Sequence, residues 1–157
     1  VRMVESPNVE ITTEEQENLN VDANSGKSVN AIRKFTGKGL LVWGARTLAG
    51  NDNEWRYVPV RRLYIFIEES TKKATEAFVF EPNDKTTRDE IKGQVERLMN
   101  DLIANRGLYH SIFVCDESNN TPSRIDRNEL YVDVALEPVK AAEFIYSPVR
   151  IKNTGEL

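Results

Sequence analysis

Several short stretches carry residue types that could do chemistry, and each fails on spacing. Gly26-Lys27-Ser28 closes a phosphate-binding loop pattern, but that pattern needs a glycine five residues earlier, where Val21 stands, and a buried strand leading in, where the chain is polar. Asp22, Asn24 and Gly26 echo a calcium loop, yet the fifth and sixth positions lack the required residues and no glutamate occupies the twelfth. Both stretches read as turns. His110 and Ser111 are neighbours, and neighbours along a strand point to opposite faces. Cys115 lies five residues from His110 and also faces away from it in a straight strand, so no base is placed to activate a nucleophile. Glu68-Glu69 and Asp89-Glu90 are adjacent carboxylates, which do not converge on a helix and instead form a solvated face. One histidine and one cysteine do not make a zinc site, and a lone cysteine in an apolar run reads as a buried, inert thiol. The expectation is no catalytic residue, no metal, no cofactor and no enzyme.

The aromatic and arginine cluster is different in kind. Trp43 and Arg46 are followed by Trp55, Arg56, Arg61 and Arg62. Arginine grips carboxylates with two parallel bonds and stacks on rings, and both uses suit a fixed polar junction between layers or subunits. Trp, Tyr and Arg also dominate interface energetics. The plainer alternative is one Trp in the core with the arginines in solvent.

The elements that must position these residues can be read from periodicity. Thr13 with Gln16 matches a capping box, so one or two helical turns are expected near residues 13–19. Leu40-Leu41-Val42-Trp43, bounded by glycine, reads as a buried strand, and Trp55 to Val58 as a second extended piece ended by Pro59. Val60 to Ala77 carries Leu63, Ile67, Ser70, Ala74 and Ala77 on one helical face. Thr87 and Glu90 read as the capping box of a second helix, with Ile91, Val95, Leu98, Met99, Leu102 and Ile103 as its apolar face and Gly107 as its left-handed stop. Leu108 to Cys115 is a strand. Leu130, Val132, Val134 and Leu136 alternate with polar neighbours at period two, and Pro138 ends that strand. Glu143 to Lys152 reads as an extended arm interrupted by Pro148. The expected fold is α+β: a mixed β-sheet with two main helices packed on one face and extended terminal arms. Residues 1–36 form an extended or irregular lead-in, 37–141 the α+β core, and 142–157 the arm strand and tail.

The whole chain has 157 residues, net charge −4, 39% hydrophobic and 29% charged residues. That is the composition of one globular domain. No clustered basic face suggests nucleic acid, and no apolar run suggests a membrane. There is no secretory signal, and Val1 in place of a starting Met fits a fragment or processed chain.

Ser28-Val29-Asn30-Ala31-Ile32-Arg33, Gly39 through Leu48 and Glu54 through Leu63 resemble the carboxy-terminal region of contractile tail sheath proteins of myophages and phage-tail-like injection particles. Phe80-Glu81-Pro82-Asn83, Gly107-Leu108, Cys115-Asp116, Asn119-Asn120-Thr121 and Glu137 through Ile145 extend the likeness in order along the chain. The resemblance implies a structural subunit that polymerises as hexameric rings around an inner tube and contracts to drive the tube through a target envelope. It implies other sheath subunits, the tube, baseplate and terminator proteins as partners, with no nucleic acid and no membrane. The place of action would be a phage tail, or the bacterial cytoplasm and released tail-like particles. It also implies that terminal arms add strands to neighbouring subunits. Phe144, Tyr146, Val149 and Ile151 are the arm residues expected at that subunit interface, and Lys92, Glu96, Arg97 and Asp101 of the second helix are the expected tube-facing set. The readings that compete with a sheath are a non-contractile adaptor and a small ligand-binding α+β domain.

Overall fold

The computed structural model describes residues 4–20, 26–143 and 145–147. The first helix, α1 (Thr13–Asn20), opens on a capping box one residue earlier than expected. Thr12 Oγ1 accepts the Glu15 amide at 3.2 Å and the Glu15 carboxylate accepts the Thr12 amide at 2.8 Å. Gln16 is thereby released to become the buried residue of the helix. It donates to the Trp43 carbonyl and accepts from Arg33 at 3.0 Å.

Strands β1 (Ala31–Phe35) and β2 (Gly39–Trp43) form an antiparallel hairpin, with Ala31 opposite Trp43 and Phe35 opposite Gly39. β1 carries Arg33 and Lys34 between its apolar residues, which hid it from a search for strand periodicity. β2 is not the fully buried strand expected. Leu40 is buried, but Val42 and Trp43 are exposed, because the hairpin joins the body through its ends and not across a broad covered face.

The segment from Trp55 to Val58 is not a strand. The Asp52 carboxylate accepts the amides of Glu54 at 2.8 Å and Trp55 at 3.1 Å, rolling the chain into a turn. Only Tyr57 remains extended, in an isolated bridge to Arg46. Helix α2 (Val58–Glu76) starts at once, because Pro59 presets the backbone of a first helical turn and does not end a strand.

Helix α3 (Lys85–Ala104) is capped by Asp84, whose carboxylate accepts the Thr87 amide at 2.9 Å. The expected Thr87–Glu90 box is therefore displaced by one turn. At the other end Arg106, not Gly107, takes the left-handed conformation, at φ 62°. The Gly107 amide donates to Leu102 at 2.8 Å and the Arg106 amide to Ile103 at 3.0 Å, which is a Schellman closure. Gly107 sits in a tight spot: a Cβ there would lie 3.3 Å from the Leu102 carbonyl oxygen.

Strand β3 (Leu108–Val114) lies against α3 and pairs antiparallel with β4 (Asp133–Pro138), with a bulge between Leu108 and His110. The crossover holds a short helix, α4 (Pro122–Ile125), and a polar knot. Asn120, 1% exposed, donates to the carbonyls of Asp116 and Tyr131 and accepts the Tyr131 amide at 2.7 Å. Every arm of its amide is thus used, which makes a buried asparagine tolerable.

The core joins Ile67, Ile91, Val95, Met99, Leu108, Phe113 and Cys115, with Leu130, Val132, Val134 and Leu136 packed beside it. The period-two reading of that last segment holds, and its inward residues flank the apolar face of α3. The α+β class also holds. The single mixed sheet does not: among the described residues the strands form two separate antiparallel pairs. The helical hairpin intervenes. α3 packs on β3, whereas β2 runs into the Arg46–Tyr57 bridge at the start of α2, so the two pairs never share a ladder.

Candidate functional site

The densest polar cluster is built around Arg46. Its backbone is fixed from both sides by one side chain: Asn30 Nδ2 donates to the Arg46 carbonyl at 2.8 Å and the Arg46 amide donates to Asn30 Oδ1 at 2.9 Å. Its guanidinium, on a residue 7% exposed, donates from Nε to Glu143 Oε1 at 2.9 Å and from Nη2 to Oε2 at 2.7 Å. Nη1 donates to the carbonyl of Asn20, the last residue of α1, at 3.1 Å. The Tyr57 hydroxyl adds a donor to Glu143 Oε2 at 2.7 Å, and its ring lies 5.9 Å from the guanidinium carbon. These contacts hold the Glu143 carboxyl below the ordinary range, first through the Arg46 hydrogen bonds and then Tyr57's, against the opposing effect of burial. The same carboxylate raises the Tyr57 hydroxyl, because it accepts the phenolic proton and repels a phenolate. A satisfied, bidentate and charge-assisted set of this kind fixes position. It leaves no poised acid or base.

The residues expected to share one junction separate into smaller groups. Arg46 sits in the buried clasp. Arg61 lies 4.7 Å over the Trp55 ring, which meets Tyr64 edge-on at 4.9 Å, forming a stack on the outside of α2. Arg56 serves its own turn, donating to the Asp52 carbonyl at 3.2 Å and to Asn53 at 2.5 Å. Trp43 is half exposed and leans on Phe35 at 4.6 Å within the hairpin. Arg62 is exposed and joins none of these contacts. Neither alternative drawn from the sequence describes this fully: one arginine is a buried junction, and neither tryptophan is buried.

Glu143, Tyr57, Asn30 and Asn20 were not singled out from the sequence. Glu143 is 97 residues from Arg46, a separation at which no local spacing rule operates. The one signal was that Glu143 falls within a segment that carries the family resemblance.

Lys92, Glu96, Arg97 and Asp101 are all exposed on α3. Lys92 and Glu96 approach to 3.8 Å, and Arg97 Nε donates to the Gly93 carbonyl at 3.0 Å. Of the arm residues, Tyr146 is strongly exposed, while Phe144, Val149 and Ile151 lie outside the described residues. So does the turn expected at Asp22, except for Gly26, whose φ is 65°.

Among the described residues the one thiol and the one histidine do not meet. Cys115 is buried and burial raises its thiol, while His110 is exposed. Among the described residues no group of three or more His, Cys, Asp or Glu could hold a metal ion, and no helix is long and apolar enough to cross a membrane. A groove of about 1320 Å³ opens between α2 and the approach to β4, walled by Ile67, Phe78, Ile91, Leu130 and Val132. Glu68, Lys72 and Glu81 also line it. At its rim Phe80 stands wholly in solvent with a left-handed backbone, φ 75°, an unusual place for an aromatic residue.

The described residues thus make a small α+β body with a hydrogen-bonded Arg46 clasp and exposed aromatic side chains. Comparison with known proteins gives its class. Residues 50–152 match the phage tail sheath C-terminal domain. The tail sheath protein of Vibrio phage KVP40 is 31% identical over 117 residues, and that of Enterobacteria phage T4 is 27% identical over 119. The fold matches a chain of the PVC sheath complex of an extracellular contractile injection system in its contracted state, with TM-score 0.84 and 32% identity over 92% of this chain. It also matches a chain in the six-fold symmetrised anti-feeding prophage baseplate, with TM-score 0.82 and 31% identity over 92% of this chain. The chain belongs to the phage tail sheath C-terminal domain family. It spans 17% of the KVP40 protein and 18% of the T4 protein, and 42% of the matched chain in the PVC complex.

Proposed function

We propose that this chain forms the inner-layer, carboxy-terminal domain of a contractile sheath subunit. Subunits of that kind assemble as hexameric rings around an inner tube, and the sleeve shortens to drive the tube through a target envelope. The observation that carries this reading is the likeness, over 92% of the chain, to a chain of a contracted sheath complex. The absence of converging reactive groups among the described residues supports a mechanical role. Other sheath subunits, the tube, and baseplate and terminator proteins are the partners, and a phage tail or phage-tail-like particle is the setting. Tyr146, with Phe144, Val149 and Ile151, supplies the arm that pairs with a neighbour's strand edge, where main-chain bonds give affinity and alternate side chains give register.

The exposed charges of α3 form the tube contact, since polar pairing suits a surface that must dock and then let go. Electron microscopy of the full-length protein expressed with its tube partner tests the whole reading. Stacked rings around tubes are expected. A subunit that stays solitary beside its tube defeats it. Reversing Lys92 and Asp101 together is expected to leave sheath subunits folded and to abolish their assembly on the tube, and unchanged sleeves would remove α3 from the contact.

A further inference from the structure

We propose that the Arg46 guanidinium is a latch coupling α1 to the carboxy-terminal segment, so that the two are held or released together. Its purpose in a contracting sleeve rests on the functional reading above, but the coupling stands on this chain's own contacts.

The body of the latch is rigid. The Asn30 side chain grips the Arg46 backbone from both directions, and the Arg46–Tyr57 bridge ties it to the start of α2. What the latch holds has few other ties. α1 buries only Gln16 and is otherwise held by Arg33, which donates to Gln16 and Thr13, by the Gln16 bond to the Trp43 carbonyl and by the Val29 amide's bond to Leu19. Among the described residues the carboxy-terminal segment makes its last backbone bond from Val139 to the Gly107 carbonyl at 3.1 Å. Past Glu143 the described Ile145 and Tyr146 are 83% and 86% exposed. One cation is thus a shared fastening for two segments that lie far apart in the chain.

The physical link is the planarity of the guanidinium. Its two bonds to the Glu143 oxygens fix the plane of the fork, and that plane aims Nη1 at the Asn20 carbonyl. If the carboxylate leaves, the fork is free to turn toward water and the bond to α1 weakens. The converse also holds, because a coupling free energy is reciprocal. Tyr57 strengthens one side by holding the carboxylate in place.

Amide hydrogen exchange on the full chain tests this. Glu143→Ala removes a contact of the carboxy-terminal segment, and the reading is taken at the other end of the latch. Exchange in α1 and at the Val29 amide, which donates to Leu19, is expected to accelerate by about fivefold or more, with α3 unchanged. Faster exchange confined to residues 139–143 would overturn the coupling. So would an equal acceleration in α3, which would mean general loosening. Tyr57→Phe, which leaves both charges in place, is expected to move the same amides in the same direction by less. Arg46→Lys is expected to release both segments, because an ammonium has no planar fork to hold one acceptor in line while gripping the other. Failure to form sheaths while this exchange pattern holds would count against the functional reading and leave the latch standing.

Discussion

Glu143 has its folded-state pKa lowered by its hydrogen bonds to Arg46 and Tyr57. A carboxyl with a lowered folded value contributes stability that is present above its unfolded value and lost as pH falls through the folded one. Tyr57 is shifted upward, so its contribution is complete below the ordinary tyrosine range and lost as pH rises through the raised value. Protection of residues 139–143 from exchange should therefore be flat between the carboxylate and tyrosine ranges. It should fall on the acid side as Glu143 takes a proton, and exchange measured across that pH series checks it. Arg106 offers a second test at this scale. It takes a left-handed backbone that costs an L-residue more than glycine. Arg106→Gly should raise stability by roughly 0.5 kcal/mol, the strain relieved exceeding the added freedom of the unfolded chain. A urea melt of the domain gives the answer.

The helix ends separate what composition suggests from what geometry selects. Asp84 and Thr87 are both residue types that cap helices, and it is Asp84 that accepts an orphan amide of the first turn of α3, that of Thr87. Asp84→Ala should cost about 1 kcal/mol. Glu90→Ala, on the residue that the sequence pattern favours, should stay within about 0.5 kcal/mol. Denaturant midpoints of the two variants, measured side by side, decide it. The apolar face of α3 was legible because Ile91, Val95 and Met99 recur at helical spacing and all three are almost wholly buried. The alternation from Leu130 to Leu136 was legible for the same reason at period two. β1 was not, since its Arg33 is drawn onto Gln16 and Thr13 of α1, a use that strand periodicity does not encode.

At the scale of the molecule, among the described residues the last backbone bond to the core is that of Val139, and the core cluster draws on nothing beyond Leu136. Truncation after Lys140 in the full-length protein should therefore leave this domain folded by circular dichroism. It should also loosen α1, because Glu143 is lost, and abolish sleeve assembly, because the arm is lost. Normal sleeves from the truncated protein would remove the arm from the assembly mechanism. The hairpin β1–β2, with Ile32 and Val42 facing each other across the strands and both half exposed, is apolar beyond its own needs as a surface ribbon.

Read alone, the sequence determined the α+β class, the two long helices and the inward face of the last strand, because each depends on residues within a few turns of one another. Only the tertiary structure decided that the strands divide into two pairs and that Arg46 meets Glu143, Tyr57 and Asn20. Pairings across such distances are set by how the helical hairpin folds back on the sheet, and no short-range periodicity carries that information.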